Sequence, residues 1–192
     1  MAEYQATPST RSGRPRDPEK TIAILDAAWR VMAAERKRLS IEQVAREAGV
    51  SKVTIYARFA AAEDLSDAAA VYYRKLLLEK LHAAAKCVSV SESMINVGLM
   101  FVHELQSNRL CFWTLSQFGI IGDVVSILER VLEADAVYGS RQHKDRTEVC
   151  YLLIGHWLMI ALSWADQPAT KSIVKERVAA AWLHASNLMI PR

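Results

Sequence analysis

The sequence predicts an all-α chain in two parts, a small N-terminal three-helix unit and a larger helical unit behind it. Three observations predict this. Of the 192 residues 52% are apolar, enough for a substantial core, while the seven glycines and five prolines lie mostly outside the apolar stretches. Apolar residues recur at spacings of three and four, and no alternating run is long enough for a strand. Around Gly49, two short periodic segments are each preceded by a serine able to cap a helix.

Residues 1–16 hold Ser, Thr, Pro, Gly and Arg with little apolar content, and read as a flexible arm. Arg14 and Arg16, on either side of Pro15, suit the minor groove of A·T-rich DNA, whose narrowness attracts arginine. The plainer reading is a solubilising tail. The first helix opens at Asp17-Pro18-Glu19: an N-cap, proline at the first helical position and an acid at the positive helix end. Ile22, Leu25, Trp29 and Met32 give its apolar stripe, and it ends near Arg36-Lys37-Arg38.

Residues 41–59 carry the strongest local signals in the chain. Ser40 with Gln43 three residues on makes a capping-box pattern. Ile41, Val44 and Ala45 share a face, and Gly49 supplies the left-handed residue that ends the helix. Ser51 caps the next helix, whose apolar residues are Ile55 and Phe59. Two short helices joined by a glycine-containing turn form a helix-turn-helix pattern, whose second helix would lie in the DNA major groove. A fourth helix, about 62–86, has no internal Gly or Pro and carries Leu65, Ala69, Tyr72 and Leu76 on one face. Further helices are expected near 92–106, 109–118, 122–138, 143–165 and 170–189, punctuated by Asn108, Gly119, Gly122, Gly139 and Asp166-Gln167-Pro168.

Charge follows the same division. Residues 1–58 hold 11 Lys or Arg and 7 Asp or Glu, a net +4, whereas residues 59–192 are net −1. The excess lies where a polyanion-binding module would need it, although many surfaces that bind nothing carry as much. Cys87, Cys111 and Cys150 are odd in number and widely spaced, which argues against a disulfide framework and for a reducing compartment. The polar, basic N-terminus has no signal-peptide core, and the longest apolar run, Val149 to Ala165, is short for a membrane span. A cytoplasmic protein without membrane attachment is expected.

Ala48-Gly49-Val50-Ser51-Lys52-Val53-Thr54-Ile55-Tyr56-Ala57-Arg58-Phe59, followed by Glu63-Asp64-Leu65, resembles the TetR family of bacterial transcriptional regulators, as does Ile24-Leu25-Asp26-Ala27-Ala28 with the family's first helix. The resemblance covers about residues 17–77. It implies a DNA-binding domain over 17–77, with its motif at about 40–59, and an effector-binding and dimerisation domain over 78–192. Three departures stand out. Arg36-Lys37-Arg38 replaces a glycine, Ala62 replaces a lysine that would contact phosphate, and Arg58 stands where histidine or tyrosine is common.

For the DNA contact, Ser40 and Ser51 lie at helix N-termini, where free N–H groups favour phosphate. The resemblance assigns Thr54 and Tyr56 mainly to the backbone. Lys52 is a candidate donor to guanine O6 or N7, and Val53 could meet a thymine methyl. Arg58 could serve either purpose, and Ile55 and Phe59 are assigned to core. One such unit makes few contacts, so two related by a two-fold axis are expected to read a palindromic operator in double-stranded DNA. Leu153, Trp157, Ile160 and Trp164, with Ala181, Trp182, Ala185 and Met189, are the candidates for the homodimer interface; the alternative is that they are monomer core. Phe101, Leu105, Phe112, Trp113, Gln117, Phe118 and Tyr151 are candidates for a small-molecule effector pocket, with His103 and Glu104 as further polar members. The alternative again is ordinary core.

An enzyme is not expected. Glu79 and His82 form one Glu-x-x-His pair without a second, His103-Glu104 lacks the second histidine of a zinc-protease motif, and no phosphate loop or nucleophile elbow is present. No metal or cofactor is expected. The reading is a homodimeric repressor released from its operator by a small-molecule effector. Alternatives are a helical interaction protein without sequence-specific DNA binding and a redox-responsive regulator built on the cysteines. Replacing Lys52 with alanine should change preference at one base pair by roughly 1–3 kcal/mol, whereas Thr54→Ala or Tyr56→Phe should weaken all sites alike. Competition between best and scrambled duplexes checks this, and an unchanged ratio for Lys52→Ala would contradict the base-reading role.

Overall fold

The computed structural model describes residues 17–35, 39–107, 115, 119–163 and 170–189. Among these the chain forms α1 (Pro18–Glu35), α2 (Ile41–Glu47), α3 (Lys52–Tyr56), α4 (Ala62–Ala84), α5 (Val90–Ser107), α6 (Ile120–Glu133), α7 (Ala136–Gly139), α8 (His143–Ser163) and α9 (Lys171–Met189), and no strand. The arm at 1–16, with Arg14 and Arg16, lies outside the described residues, as does the helix expected at 109–118 apart from Leu115.

The helix starts read from local chemistry are present. Asp17 Oδ1 accepts the Glu19 N–H at 3.1 Å, and Ser40 Oγ accepts that of Gln43 at 3.4 Å. After α2, Gly49 sits at φ 64°, with its N–H on the Arg46 carbonyl and the Val50 N–H on the Ala45 carbonyl. This is the paired Schellman closure that a left-handed residue permits. The helix expected at 122–138 divides in two. Asp135 caps α7 by accepting the N–H groups of Val137 and Tyr138, at 2.8 and 3.1 Å. Buried Arg146 holds the corner from α8, donating to Glu133 Oε1 at 2.9 Å and to the Gly139 carbonyl at 3.2 Å.

Two cores result. The smaller joins Ile24, Ala27, Ala28 and Val31 of α1 to Val44, Ile55, Leu65 and Ala69. Of the stripe expected on α1, Trp29 is buried, Leu25 and Met32 are partly buried against the core and Ile22 is exposed; Ala27 and Ala28 complete the face that packs against α2 and α4. The larger core holds Tyr73, Leu77 and Leu81 of α4 against α5, α6, α8 and α9. On α4 the expected Leu65 and Ala69 are buried, but beyond them the stripe shifts by one residue to Tyr73 and Leu77, and Tyr72 and Leu76 are only half-buried.

The dimer-interface candidates need correction. Leu153, Trp157, Ala181, Trp182, Ala185 and Met189 are buried within this chain, and Ile160 is half-buried against the same core. Trp164 lies outside the described residues. The cause is that α8 packs against α5, α6 and α9 together, so the stripe at spacing four turns inward. Gly98 of α5 makes room for it: a Cβ there would lie 2.6 Å from Trp157 Cε2 and 2.7 Å from Val178 Cγ1. The outward face carries other apolar side chains: Tyr151, Leu152, Met159 and Leu162 of α8, and Leu183 and Leu188 of α9. Gly98→Ala should overpack this contact and destabilise the fold by about 1–3 kcal/mol. Urea unfolding at constant slope checks it, and a variant as stable as the parent would show that Trp157 has room to move.

Candidate nucleic-acid interface

A helix of five residues does not persist in isolation, so α3 depends on its attachments. At its start, Ser51 Oγ accepts the Thr54 N–H at 3.1 Å and shares a second hydrogen bond with Thr54 Oγ1 at 2.9 Å. Midway, fully buried Ile55 anchors it in the small core. At its end, Arg58 Nη1 donates to the Thr54 carbonyl at 3.0 Å and Nε to Thr21 Oγ1 of α1 at 3.2 Å. Arg58 therefore ties the helix C-terminus to α1, a structural duty that its sequence position did not reveal.

The outward side of α3 presents Lys52, Val53 and Tyr56, with Val53 77% and Tyr56 55% exposed. Lys52 Nζ lies 3.1 Å from Glu42 Oε2 of α2, an exposed ion pair. At the start of α4, the Ala61 N–H donates to Asp64 Oδ2 at 3.0 Å, so an acid occupies the turn where the family's lysine is replaced by Ala62. The structure thus brings Lys52, Val53, Thr54 and Tyr56 onto one short helix, with Ser51 capping it and Ser40 capping the helix before it.

Behind this module, Trp29 of α1 stacks on Tyr73 of α4 with ring centroids 4.0 Å apart and planes 7° from parallel. The Tyr73 hydroxyl donates to Glu104 Oε2 at 2.6 Å, and Lys80 Nζ holds Oε1 at 2.7 Å. Burial of Glu104 acts to raise its pKa, but the hydrogen bonds from Lys80 and Tyr73 prevail and hold it below the ordinary carboxylate value. Arg74 and Asp123, 2.6 Å apart, add an ion pair between α4 and α6.

Residues 24–69 match the family model described as bacterial regulatory proteins, tetR family. Residues 24–69 are thus a TetR-type DNA-binding module. This module marks the chain as a DNA-binding regulator. No curated protein matches it in sequence. Among solved structures, it is similar to a TetR-like transcriptional regulator from Rhodococcus sp. RHA1, at 18% identity and a TM-score of 0.66 over 90% of this chain and 99% of that one. A TetR-family transcriptional regulator from Streptomyces coelicolor gives 15% identity and 0.69 over 91% and 92%. The transcriptional regulator FadR of Bacillus subtilis, solved in complex with stearoyl-CoA, gives 17% and 0.65 over 83% and 95%. At these identities the likeness establishes the shared fold.

Among the described residues, the expected effector candidates Phe101, Leu105 and Tyr151 are not gathered in one place. Phe101 and Leu105 are buried in the larger core, Phe101 tilted against Trp157 with centroids 6.1 Å apart. Tyr151 points the other way, into a shallow outward groove with Glu148, Leu152, Gly155, His156 and Met159. Phe112, Trp113, Gln117 and Phe118 lie outside the described residues. Burial pushes the Cys150 thiol up to about 12, which leaves it a poor nucleophile, and half-buried Cys87 accepts a hydrogen bond from Asn96 at 3.2 Å. Cys111 lies outside the described residues. None of the described helices is long and apolar enough to cross a membrane.

Glu104 yields a test. A carboxylate held below its unfolded pKa stabilises the fold above the unfolded value, and that stability is lost as pH falls through the folded one. The acid limb of the stability curve, below the ordinary glutamate value of about 4.3, should therefore flatten in Glu104→Gln. Denaturant midpoints between neutral and strongly acidic pH check this, and an identical limb in the variant would contradict the assignment.

Proposed function

We propose that this regulator acts as a homodimeric repressor that reads a palindromic operator with α3 and is released by a small-molecule effector bound among the C-terminal helices. The observation that carries the DNA-reading half is the face of α3, where Lys52, Val53 and Tyr56 stand free of the core while the helix is fixed at both ends. A rigid helix with exposed side chains is what direct readout of the major groove requires. Within this reading Ser40, Ser51, Thr54 and Tyr56 serve the phosphates, and Lys52 and Val53 meet base edges. Arg58 chiefly positions α3. The division into a DNA-binding part over 17–77 and a ligand and dimer part beyond it belongs to the same proposal.

Dimerisation is assigned to the outward face of α8 and α9. Tyr151, Leu152, Met159 and Leu162 share one exposed side of α8, and Leu183 and Leu188 are exposed on α9 packed beside it, each 46% exposed or more. Such patches are uncommon on monomers and mark association surfaces. A second copy related by a two-fold axis would cover the same residues on both protomers.

Release requires an effector that binds the operator-competent and released states unequally. The fold that this chain shares with FadR, solved with stearoyl-CoA, supports an effector role for the C-terminal helices. The chemistry of the effector here is a separate question. Continuous α4 supports mechanical transmission, because it enters both cores and carries Tyr73 at their junction. The cysteine-based alternative is weakened by the burial of Cys150.

Selection of bound duplexes from a random pool tests the proposal. A palindrome with half-sites about one helical turn apart is expected, and recovery of unrelated sequences would instead favour a helical interaction protein. Met159→Glu combined with Leu183→Glu should convert a sedimenting dimer to a monomer at micromolar concentration. A parent chain that is already monomeric would reject the dimer.

A further inference from the structure

The exposed ion pair between Lys52 and Glu42 has no role in the proposed repressor beyond the lysine's own base contact. Exposed pairs of this kind contribute little to stability. An acid in the first turn of α2 suits the helix dipole, but the dipole does not account for its pairing with Lys52, and an acid beside the recognition helix is unfavourable near phosphates. The position of Glu42 explains the pairing better. Glu42 lies in the first turn of α2 and Lys52 opens α3, ten residues on, yet Nζ and Oε2 are 3.1 Å apart. Both side chains are open to solvent, 53% exposed for lysine and 74% for glutamate. The two therefore present a cationic donor and an anionic acceptor side by side, next to Val53 and Tyr56.

We propose that Glu42 is a specificity-determining residue, and that Glu42 and Lys52 together read one G·C base pair in the major groove. This rests on the reading of α3 as the recognition helix. Guanine offers O6 and N7 as acceptors, and its cytosine partner offers the N4 amino group as a donor next to O6. Lys52 would donate to guanine while Glu42 accepts from cytosine N4, so the acid is satisfied by the base pair rather than left facing phosphate. At an A·T pair the lysine meets one purine acceptor instead of two. A mismatched base therefore leaves one member of the charged pair poorly placed. Glu42 also limits the freedom of the long lysine side chain before binding, so less rotamer entropy is lost when the contact forms.

The test uses the full chain and a duplex recovered by random selection, with the four base pairs placed in turn at each half-site position. Glu42→Ala should reduce the preference for G·C at one position about tenfold, within the range for a good base contact. Affinity for scrambled duplex should not fall. Glu42→Gln, which keeps a carbonyl acceptor, should retain part of the preference. In a Lys52→Ala background, Glu42→Ala should have a smaller effect at that position, because the bond to cytosine N4 remains but the paired readout with guanine is gone. Circular dichroism melts establish that each variant is folded. If Glu42→Ala changes matched and mismatched duplexes equally, Glu42 acts only through its charge and the proposal is overturned. An undiminished effect in the Lys52→Ala background overturns it too, because the two residues then act independently. If the parent chain recovers a palindrome and Glu42→Ala leaves every preference intact, this inference fails alone. If the parent recovers no preferred sequence, the recognition-helix reading fails with it.

Discussion

The structure depends on the contact at Tyr73. Its ring stacks on Trp29 of α1, and its hydroxyl is held by Glu104 of α5, so one side chain joins the DNA-binding module to the helices behind it. A stacked aromatic pair contributes about 0.5–1.5 kcal/mol beyond its buried area. The hydrogen bond to a buried carboxylate is of the stronger, charge-assisted kind. Lys80 completes the arrangement by compensating the Glu104 charge, without which burial of that carboxylate would be costly. The orientation of α1 is thereby fixed to α4 and α5, and α3 follows α1 through the hydrogen bond from Arg58 to Thr21. A shift among the C-terminal helices has a continuous physical path to the reading face.

That path gives a reason for the economy of the recognition helix. A five-residue helix has little stability of its own, and it is held from outside by the Ser51 cap, buried Ile55 and the Arg58 clamp. Such a helix moves as a body with α1. This is the property that a regulator needs if a change far from DNA is to alter the fit of its reading face.

The small domain was largely legible in the sequence because its determinants are local. Capping by Ser40 and Ser51 and the left-handed turn at Gly49 each depend on residues within one or two helical turns. The packing of α1 was less legible, since its buried face includes Ala27 and Ala28, which give a weak hydrophobic signal beside Trp29 and Ile22. In α8, apolar side chains occur on both faces, so periodicity could not tell which stripe turned inward; Leu153 and Trp157 are core, and Met159 and Leu162 face out. The pairing of Glu42 with Lys52 and of Arg58 with Thr21 was hidden for another reason. These contacts are set by the angle between helices, which no sequence spacing encodes. The same holds for Glu104, whose partners Tyr73 and Lys80 lie 31 and 24 residues away.

Methylation interference on a selected duplex tests most directly the central claim, that α3 reads the major groove from two protomers. Methyl groups at guanine N7 occupy the major groove, and those at adenine N3 the minor groove. N7 methylation is expected to block binding at guanines in two clusters, separated by about one helical turn, or roughly 34–36 Å. Interference confined to adenine N3, or to a single cluster, would contradict the claim.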